Sequence, residues 1–425
     1  MRFWRMPVWA WWWFMAALIA GCGGSVDSNP TRAELRLVNA TSGYPALDLL
    51  VDDDRRFSSV TFGQTEDYEE IDPDETDSVL ATPGSTTPLV SFTPALEKQE
   101  SYTVLAYGVE GSPRTLLLEE DGSEDDDKAK LRFVNVATDA GALDVYVTAP
   151  SDALSTAAPL QAGAEIGEVS TYSNFSPGTW RIRVTKAGDK TDLRFDSGDV
   201  VLKKEQVATL VVAPAGGGAL VSVLLLNERG SIVAISGALA RVRVAVPNAD
   251  TVSASVAGQA LMTAAAGPAV ESYQLVPAGT QAVSVTVNDA TVNVPDVALV
   301  AGSDQTLMVY RSAGQPMVVW LPDDNRPPTA AGSAKLRLVH GLDGLGGALS
   351  MKADLKSVAS NVVLGTASSY AVVQQATDVA ITVNAVGTST PVLDLLDQDL
   401  LAGAVYSVFV VKGTVSNRGF LVQDR

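Results

Sequence analysis

The chain has 425 residues, with 49 acidic and 30 basic side chains and a formal net charge of −19. Nucleic-acid binding needs a basic surface, so this charge argues against a nucleic-acid partner. With one cysteine and one histidine, the chain has no internal disulfide and no zinc site of the histidine and cysteine type, which needs three or four ligands. The length predicts two to four domains.

Residues 1–21 predict a lipoprotein signal peptide. Arg2 and Arg5 form a short basic region, and an uncharged apolar run follows. The sequence LIAGC at 18–22 resembles the lipobox of bacterial lipoproteins, with small residues before the cleavage point. A membrane-spanning anchor is the alternative, but about 15 apolar residues are fewer than the roughly 20 that span a bilayer. The resemblance implies cleavage before Cys22 and attachment of a lipid to that residue. The acyl groups of this lipid would include palmitate.

The residues after the signal predict where the chain is held. Residues 22–32 are small and polar, which is typical of a flexible tether. Gly23 follows the cysteine, at a position where aspartate would resemble an inner-membrane retention signal. We therefore expect an outer-membrane lipoprotein of the bacterial cell envelope, whose lipid contacts the membrane and whose body is periplasmic or surface-exposed.

One strand motif occurs four times, which predicts four repeats of one domain. The copies are 33–39 (AELRLVN), 129–135 (AKLRFVN), 240–246 (ARVRVAV) and 334–340 (AKLRLVH). They begin roughly 100 residues apart, the size of one β-sandwich domain. A second motif, ALDL at 46–49 and ALDV at 142–145, follows the first at a nearly constant distance. The predicted divisions are repeat 1 (33–120, acidic), repeat 2 (129–228), repeat 3 (238–322, divergent), a linker (323–333) and repeat 4 (334–425).

Alternation with a period of two predicts β-strands within each repeat. In the second copy Trp180, Ile182 and Val184 alternate with polar residues. Such alternation places one face of a strand in the core and the other in water. Pro, Gly, Asn and Asp separate the strands, and the glycine run 216–218 reads as a hairpin turn rather than a phosphate cradle. About seven short strands per repeat predict an all-β chain of four tandem immunoglobulin-like antiparallel β-sandwich domains. A single β-solenoid is the alternative, but the repeat is too long for one rung.

These motifs together resemble a known family of bacterial envelope modules. The leading strand, the ALD motif and the tyrosines Tyr172, Tyr273 and Tyr370 that open a strand pair resemble domain of unknown function family 4397. The resemblance implies an exported protein of tandem β-sandwich modules. It implies no established reaction and no catalytic residues.

Two acidic runs, 64–77 and 119–127, lie in and beside the first repeat. Runs of like charge are typical of solvated loops and linkers. Calcium is the alternative, because it prefers carboxylate oxygens. Asp72, Asp74 and Asp77 have part of the spacing of a calcium loop, but the glycine and final glutamate of an EF-hand are missing. Calcium is the one cofactor besides the covalent lipid that this pattern leaves open.

The residues that could support catalysis are few, and their positions indicate structural roles. His340 aligns with Asn39 and Asn135 at the end of the leading strand, where asparagine commonly binds a turn. Asp48 and Asp144 occupy matching positions in separate repeats, unlike the facing carboxylates of a glycosidase. We therefore expect no enzyme activity, with a carboxylate-based envelope hydrolase as the remote alternative.

Aromatic residues suggest a contact surface in the second repeat. Tyr172 and Trp180 flank a turn and could stack on a sugar or fill a partner's pocket, although core packing is the alternative. The predicted function is that of a non-catalytic binding, adhesion or spacer module, with envelope proteins or polysaccharide as partners. A calcium-dependent polysaccharide- or protein-binding module is the second hypothesis.

Overall fold

The computed structural model describes residues 30–120, 125, 127–345, 347–413 and 418–425. The predicted signal peptide, Cys22 and the tether up to residue 29 lie outside this part of the chain. All the regular elements in the described part are β-strands, which confirms the all-β prediction. A search of the same residues for a helix with the length and apolar character to cross a bilayer finds none.

Unit 1 is a sandwich of two sheets. Its leading sheet has the order β4-β1-β7-β8 and its second sheet has the order β3-β2-β5-β6, where the strands are β1 (Ala33–Asn39), β2 (Ala46–Val51), β3 (Asp54–Thr61), β4 (Glu69–Ile71), β5 (Ser78–Ala81), β6 (Val90–Phe92), β7 (Ser101–Val109) and β8 (Ser112–Glu119). Leu35, Leu47, Phe57 and Val104 are among the apolar side chains that pack between the sheets. Strand β4 lies inside the first acidic run, part of which is therefore a strand rather than a loop.

Unit 2 repeats this arrangement with one more strand. Its leading sheet is β12-β9-β15-β16-β17 and its second sheet is β11-β10-β13-β14, where the strands are β9 (Ala129–Asn135), β10 (Leu143–Thr148), β11 (Gln161–Ala164), β12 (Ser173–Phe175), β13 (Gly178–Lys186), β14 (Asp189–Leu202), β15 (Val207–Pro214), β16 (Val221–Asn227) and β17 (Ile232–Ile235). Strand β17 lies beyond the predicted end of the repeat at 228, because the chain turns back at Gly230 and pairs with β16.

Unit 3 has the same two sheets and a small extra ladder. Its leading sheet is β21-β18-β27-β28 with β22 also on β18, its second sheet is β20-β19-β24-β25, and β23 pairs with β26. The strands are β18 (Leu239–Val246), β19 (Thr251–Val256), β20 (Gln259–Ala266), β21 (Ala269–Val270), β22 (Gln274–Pro277), β23 (Gly279–Gln281), β24 (Val283–Val287), β25 (Ala290–Val292), β26 (Val297–Leu299), β27 (Asp304–Ser312) and β28 (Gln315–Asp323).

Unit 4 closes the described chain with the same order of strands. Its leading sheet is β32-β29-β36-β37 with β33 also on β29, and its second sheet is β31-β30-β34-β35. The strands are β29 (Ser333–His340), β30 (Leu349–Ala353), β31 (Lys356–Val362), β32 (Thr366–Ala367), β33 (Ala371–Gln374), β34 (Ala376–Ala385), β35 (Pro391–Leu400), β36 (Val405–Val411) and β37 (Arg418–Gln423).

One pair of strands in each leading sheet is parallel, while the other strand pairs of these sheets are antiparallel, as predicted. The leading strand runs parallel to the first strand of the final hairpin, as in β1 with β7 and β29 with β36. In the sequence, the strands of the second sheet lie between these two parallel strands. A crossover of this kind lets the chain return in its original direction, which a tight hairpin cannot do.

The units pack in pairs through their leading sheets. Val38 and Leu105 of unit 1 pack against Val134 and Leu224 of unit 2 in one apolar cluster. A second cluster joins units 3 and 4. The leading strands are therefore buried on both faces, so the expectation that one face lies in water is wrong for them. The face of each leading strand that is turned away from its own core is covered by a second sandwich rather than by solvent.

The predicted hairpin turn at 216–218 connects β15 to β16 and also docks unit 2 onto unit 3. The Gly217 amide donates to the Gly302 carbonyl at 2.9 Å, and its carbonyl accepts from the Asn325 amide at 3.0 Å. A Cβ at Gly217 would lie 2.5 Å from the Asp304 nitrogen. Glycine is therefore required here by the close approach of another backbone rather than by a ligand.

Candidate functional site

The arginine of each leading-strand motif is buried on the face turned away from its own core. Arg36, Arg243 and Arg337 are each 1% exposed, and Arg132 is 8% exposed. The Nε atom of each donates to a hydroxyl on the neighbouring parallel strand, at 2.8 to 3.0 Å; the acceptors are Thr103, Thr209, Thr306 and Ser407. Each arginine is thus fixed by the strand pair that defines the unit.

A tyrosine ring covers each of these arginines. The guanidinium carbons lie 4.5 to 4.6 Å from the ring centroids of Tyr68, Tyr172, Tyr273 and Tyr370. At this distance the ring attracts the cation through its quadrupole. Burial raises the pKa of Tyr68, Tyr273 and Tyr370 above the usual value, so these hydroxyls remain neutral donors.

An acidic residue at the end of the final hairpin, or directly after it, completes each set. The tyrosine hydroxyls donate to carboxylates in turn, and the acceptors are Glu120, Glu228, Asp323 and Asp424. We call each set of arginine, hydroxyl residue, tyrosine and acid an arginine–tyrosine–acid cluster. Because it recurs four times, it belongs to the repeat and not to one special site.

The clusters also connect the two units of each pair. Arg36 donates to the Asn227 carbonyl at 3.0 Å, and Arg132 donates to the Glu119 carbonyl at 2.7 Å, so each arginine reaches the chain just before its partner's acid. In the second pair Arg337 donates to the Pro322 carbonyl and to Asp323. The reciprocal contacts relate the two units of a pair by an approximate two-fold axis.

Asp48 and Asp144 lie in separate units, each bound to backbone amides. The two Asp48 oxygens accept from the amides of Ser59 and Gly84 at 2.7 and 2.8 Å. Those of Asp144 accept from the amides of Gly163 and Gly188 at 2.7 and 2.9 Å. These bonds hold a β-bulge in the second sheet, because the register shifts at both positions. The predicted structural role is confirmed.

The bulge also corrects the alignment of the third copy. The constant distance from the leading strand predicts that Ser255 is equivalent to Asp48, but the register shift in unit 3 lies around Ser253. The Ser253 hydroxyl accepts from the Ala264 amide at 2.9 Å, as Asp48 does from Ser59. The serine two residues earlier therefore has the aspartate's role.

His340 binds the same kind of turn as Asn39 and Asn135, which confirms its predicted role. The Asn39 amide nitrogen donates to the carbonyls of Tyr44 and Val60. His340 Nε2 lies 3.2 Å from the Gly347 carbonyl. Its Nδ1 is buried without a partner in the described residues. Burial lowers the pKa of His340 below the usual 6.5, so the ring is kept neutral.

The calcium candidates are directed to different partners. Asp72 accepts from the Asp74 amide and lies 3.5 Å from Arg32, whereas Asp77 accepts from the Thr93 hydroxyl. Asp74 is exposed. Across the part of the chain that the structure describes, groups of three or more acidic, histidine or cysteine side chains suited to a metal do not occur.

Tyr172 and Trp180 make different contacts within the fold. Tyr172 is part of an arginine–tyrosine–acid cluster, at the side of the sheet that faces unit 1. Trp180 makes an edge contact with Phe175 at 5.2 Å and packs on the core of unit 2, while its indole donates to the Ser176 carbonyl. Both side chains have roles within the scaffold.

The sequence interpretation missed the cluster because its unit 1 members lie in the acidic runs. Tyr68 follows Asp67 in the first run, and Glu120 belongs to the second, which reads as a solvated linker. Glu120 is instead buried, 2.8 Å from Arg36. The available signal was the arginine itself, a charge placed between apolar residues in all four leading strands.

The model for the domain of unknown function DUF4397 matches residues 33–146 and 238–344, which together exceed half of the chain. The chain belongs to this family. Each matched range covers one whole unit and includes the leading strand of the unit paired with it; the first range also extends into β10. Unit 3 is matched in full, although its leading strand is the most divergent of the four.

Comparisons with individual proteins give only distant likenesses. No curated protein matches the chain. Among solved structures, the Bacillus anthracis TIE protein is 9% identical with a TM-score of 0.15, over 88% of this chain and 67% of that one. The pilus adhesin SpaC from Lactobacillus rhamnosus GG is 12% identical with a TM-score of 0.13, over 92% of this chain and 42% of that one. Likenesses at these TM-scores carry no argument about function.

Proposed function

We propose that the chain is a lipid-anchored protein of the bacterial cell envelope that acts without catalysis, as a binding or adhesion module. The support for the anchor is the sequence LIAGC at 18–22 with its basic and apolar leader. The same leader supports export, because a basic region followed by an apolar run is typical of a secretory signal.

The observation that carries the non-catalytic part is the use made of the groups from which a catalytic site could be built. Asp48 and Asp144 each accept two backbone amides inside their own units, and His340 faces a carbonyl in a turn. A general acid or base must reach a substrate in a cleft. These three groups are held in local backbone structure, so they favour a scaffold.

The contacts between units favour binding over spacing. Sandwiches joined end to end as a stalk would touch only through their ends. Here the leading sheets pack face to face, and Arg425 of unit 4 reaches Asp139 of unit 2 at 3.3 Å. Such packing produces a rigid body that can present a fixed surface.

The anchor is tested by the variant Cys22→Ala. We expect it to lose labelling by radioactive palmitate and to leave the membrane fraction, because the lipid has no other cysteine to join. Gly23→Asp is the matched control: it should keep the label but move to the inner membrane. Equal labelling of Cys22→Ala and the natural chain would refute the anchor.

Binding is tested by capture of partners from intact envelopes with the lipidated full chain. The control is the segment 1–32 fused to an unrelated soluble protein, which carries the same signal and tether. We expect the full chain to enrich envelope proteins or polysaccharide that the control does not. Identical captured sets would contradict a binding role for the four units.

A further inference from the structure

A cleft with a volume of about 740 Å³ lies between units 1 and 2. Tyr68, Glu34, Glu66 and Asp67 line it, together with arginine side chains. It lies at the edge of the pair interface, directly beside the arginine–tyrosine–acid cluster of unit 1. The equivalent tyrosines in units 3 and 4 are Tyr273 and Tyr370.

In units 3 and 4 the cluster tyrosine contacts two cations. The Tyr273 ring lies 4.7 Å from Arg241 and 4.6 Å from Arg243. The Tyr370 ring lies 4.8 Å from Lys335, besides its contact with Arg337. The second cation comes in both cases from the residue two positions before the cluster arginine, on the same face of the strand.

Unit 1 has a carboxylate where units 3 and 4 have this second cation. The equivalent residue is Glu34, which is half-buried and accepts from the Ser101 hydroxyl at 2.7 Å. Among the described side chains, the cation over the Tyr68 ring is Arg36. The aromatic surface that binds a second cation in two sister units therefore lies in unit 1 beside an acid and an open cleft.

The remaining charges of the cleft are mostly negative. Glu66 and Asp67 are exposed and have no side-chain partner within the described residues. The positive side chains of the cleft are largely neutralised, since Arg36 pairs with Glu120 and Arg32 with Asp72. Among the described residues that line the cleft, Arg229, exposed on the unit 2 side, is the remaining opposing cation.

We propose that this cleft binds an organic cation, an ammonium or guanidinium group on a flexible chain, which takes beside Tyr68 the place that Arg241 and Lys335 have in units 3 and 4. The carboxylates of Glu34, Glu66 and Asp67 neutralise it. The group comes either from a basic side chain of a partner polypeptide or from a free polyamine. The inference rests on the proposed binding function and names the ligand chemistry of one surface.

The test is calorimetric titration of the full chain in detergent with two probes, spermidine and a capped trilysine peptide. We expect saturable binding of at least one probe, and the comparison of the two distinguishes the sources. Glu34→Lys supplies the missing cation from the chain itself and should lower the affinity about tenfold or more. The variant should fold, because Lys130 and Lys335 occupy this position in their own strands.

Glu75→Lys is the matched control, since it changes the charge of unit 1 equally but lies exposed outside the cleft. It should change the affinity by less than about twofold, and Arg229→Gln should raise it. No saturable binding, or equal losses in Glu34→Lys and Glu75→Lys, would overturn the site. Partner capture without cation binding would support the proposed function and refute this site. Cation binding without partner capture would support this site and refute the proposed function.

Discussion

In units 3 and 4 the cluster arginine of each unit forms an ion pair with the acid of the other unit. In unit 1 the cluster arginine pairs with an acid of its own unit. Arg243 of unit 3 meets Asp424 of unit 4 at 2.5 Å, and Arg337 returns the contact to Asp323. Arg36 instead pairs with Glu120 and donates to two carbonyls of unit 2, those of Gly230 and Asn227. The same repeated residues thus form ion pairs between units 3 and 4, whereas the ion pair of Arg36 stays within unit 1.

This difference concerns energetics as much as connectivity. Removing one partner of a buried ion pair leaves an uncompensated charge, which costs far more than the pair contributes. In units 3 and 4 that cost falls on the neighbouring unit. In unit 1 the cost falls mainly inside the unit. The carbonyls of Asn227 and Gly230 in unit 2 still accept from the Arg36 guanidinium.

The largest expected effect is that of Asp424→Asn. The carboxylate accepts from Arg243, Ser407 and Tyr370, and its side chain is fully buried. We expect unit 3, not only unit 4, to lose about 3–5 kcal/mol of opening free energy. Hydrogen exchange of peptides from β18 measures this directly. Asp378→Asn is the control, at an exposed position with a φ of 58° that asparagine also adopts. Unchanged exchange in β18 would contradict the crossed pairing.

A smaller effect is expected for Glu120→Gln. Arg36 loses its carboxylate but keeps the carbonyls of Asn227 and Gly230 as acceptors. We expect unit 1 to lose about 1–3 kcal/mol, measured by hydrogen exchange in β1. Exchange in β9 of unit 2 should change less than that in β1. Equal losses in β1 and β9 would show that the first pair is coupled in the same way as the second.

The contact between the two pairs can be disturbed separately with Gly217→Ala. The new methyl group would meet the backbone at Gly302 and Asp304, which costs about 1–3 kcal/mol when a packed site is overfilled. Gly216→Ala is the matched control, because nothing lies within 4 Å of the place that its methyl group would occupy. It should cost less than about 0.5 kcal/mol in calorimetric melting. Similar melting of the two variants would mean that the turn does not hold the pairs together.

The strands and the repeat could be predicted from the sequence because their signals are local. Alternation along residues such as Trp180, Ile182 and Val184 reports which positions face a core, and the leading-strand motif reports the period. The roles of Asp48 and His340 also followed, since equivalent positions in separate repeats point to structure. These predictions required only neighbouring residues or the comparison of one copy with another.

The pairing of units could not be predicted in this way, because its partners are far apart in the chain. Arg36 meets a carbonyl of unit 2 that is 191 residues away, and Arg243 meets an acid of unit 4 that is 181 residues away. An arginine in water and an arginine buried under a tyrosine leave the same alternating pattern. Glu120 was hidden further, since it stands in a run of acids whose other members suggest a linker.

The smallest expected effect is that of replacing His340 by the asparagine found at the equivalent position in units 1 and 2. The ring is 2% exposed, and burial lowers its pKa below 6.5 despite the nearby Asp343 carboxylate. Below pH 6.5 the unfolded chain therefore binds more protons than the folded chain, so unit 4 should lose stability as the pH falls. His340→Asn supplies the amide that Asn39 and Asn135 use to bind their turns.

This substitution should change stability by less than about 1 kcal/mol at pH 7 and remove the loss that begins near pH 6.5. Hydrogen exchange of peptides from β29 at pH 7.5, 6.5 and 5.5, corrected for intrinsic rates, measures both effects. Asn135→His is the reciprocal variant and should introduce the same acid sensitivity into unit 2. Parallel pH curves for the natural chain and His340→Asn would show that the buried imidazole does not titrate with folding, and the four turns would then be equivalent despite their different residues.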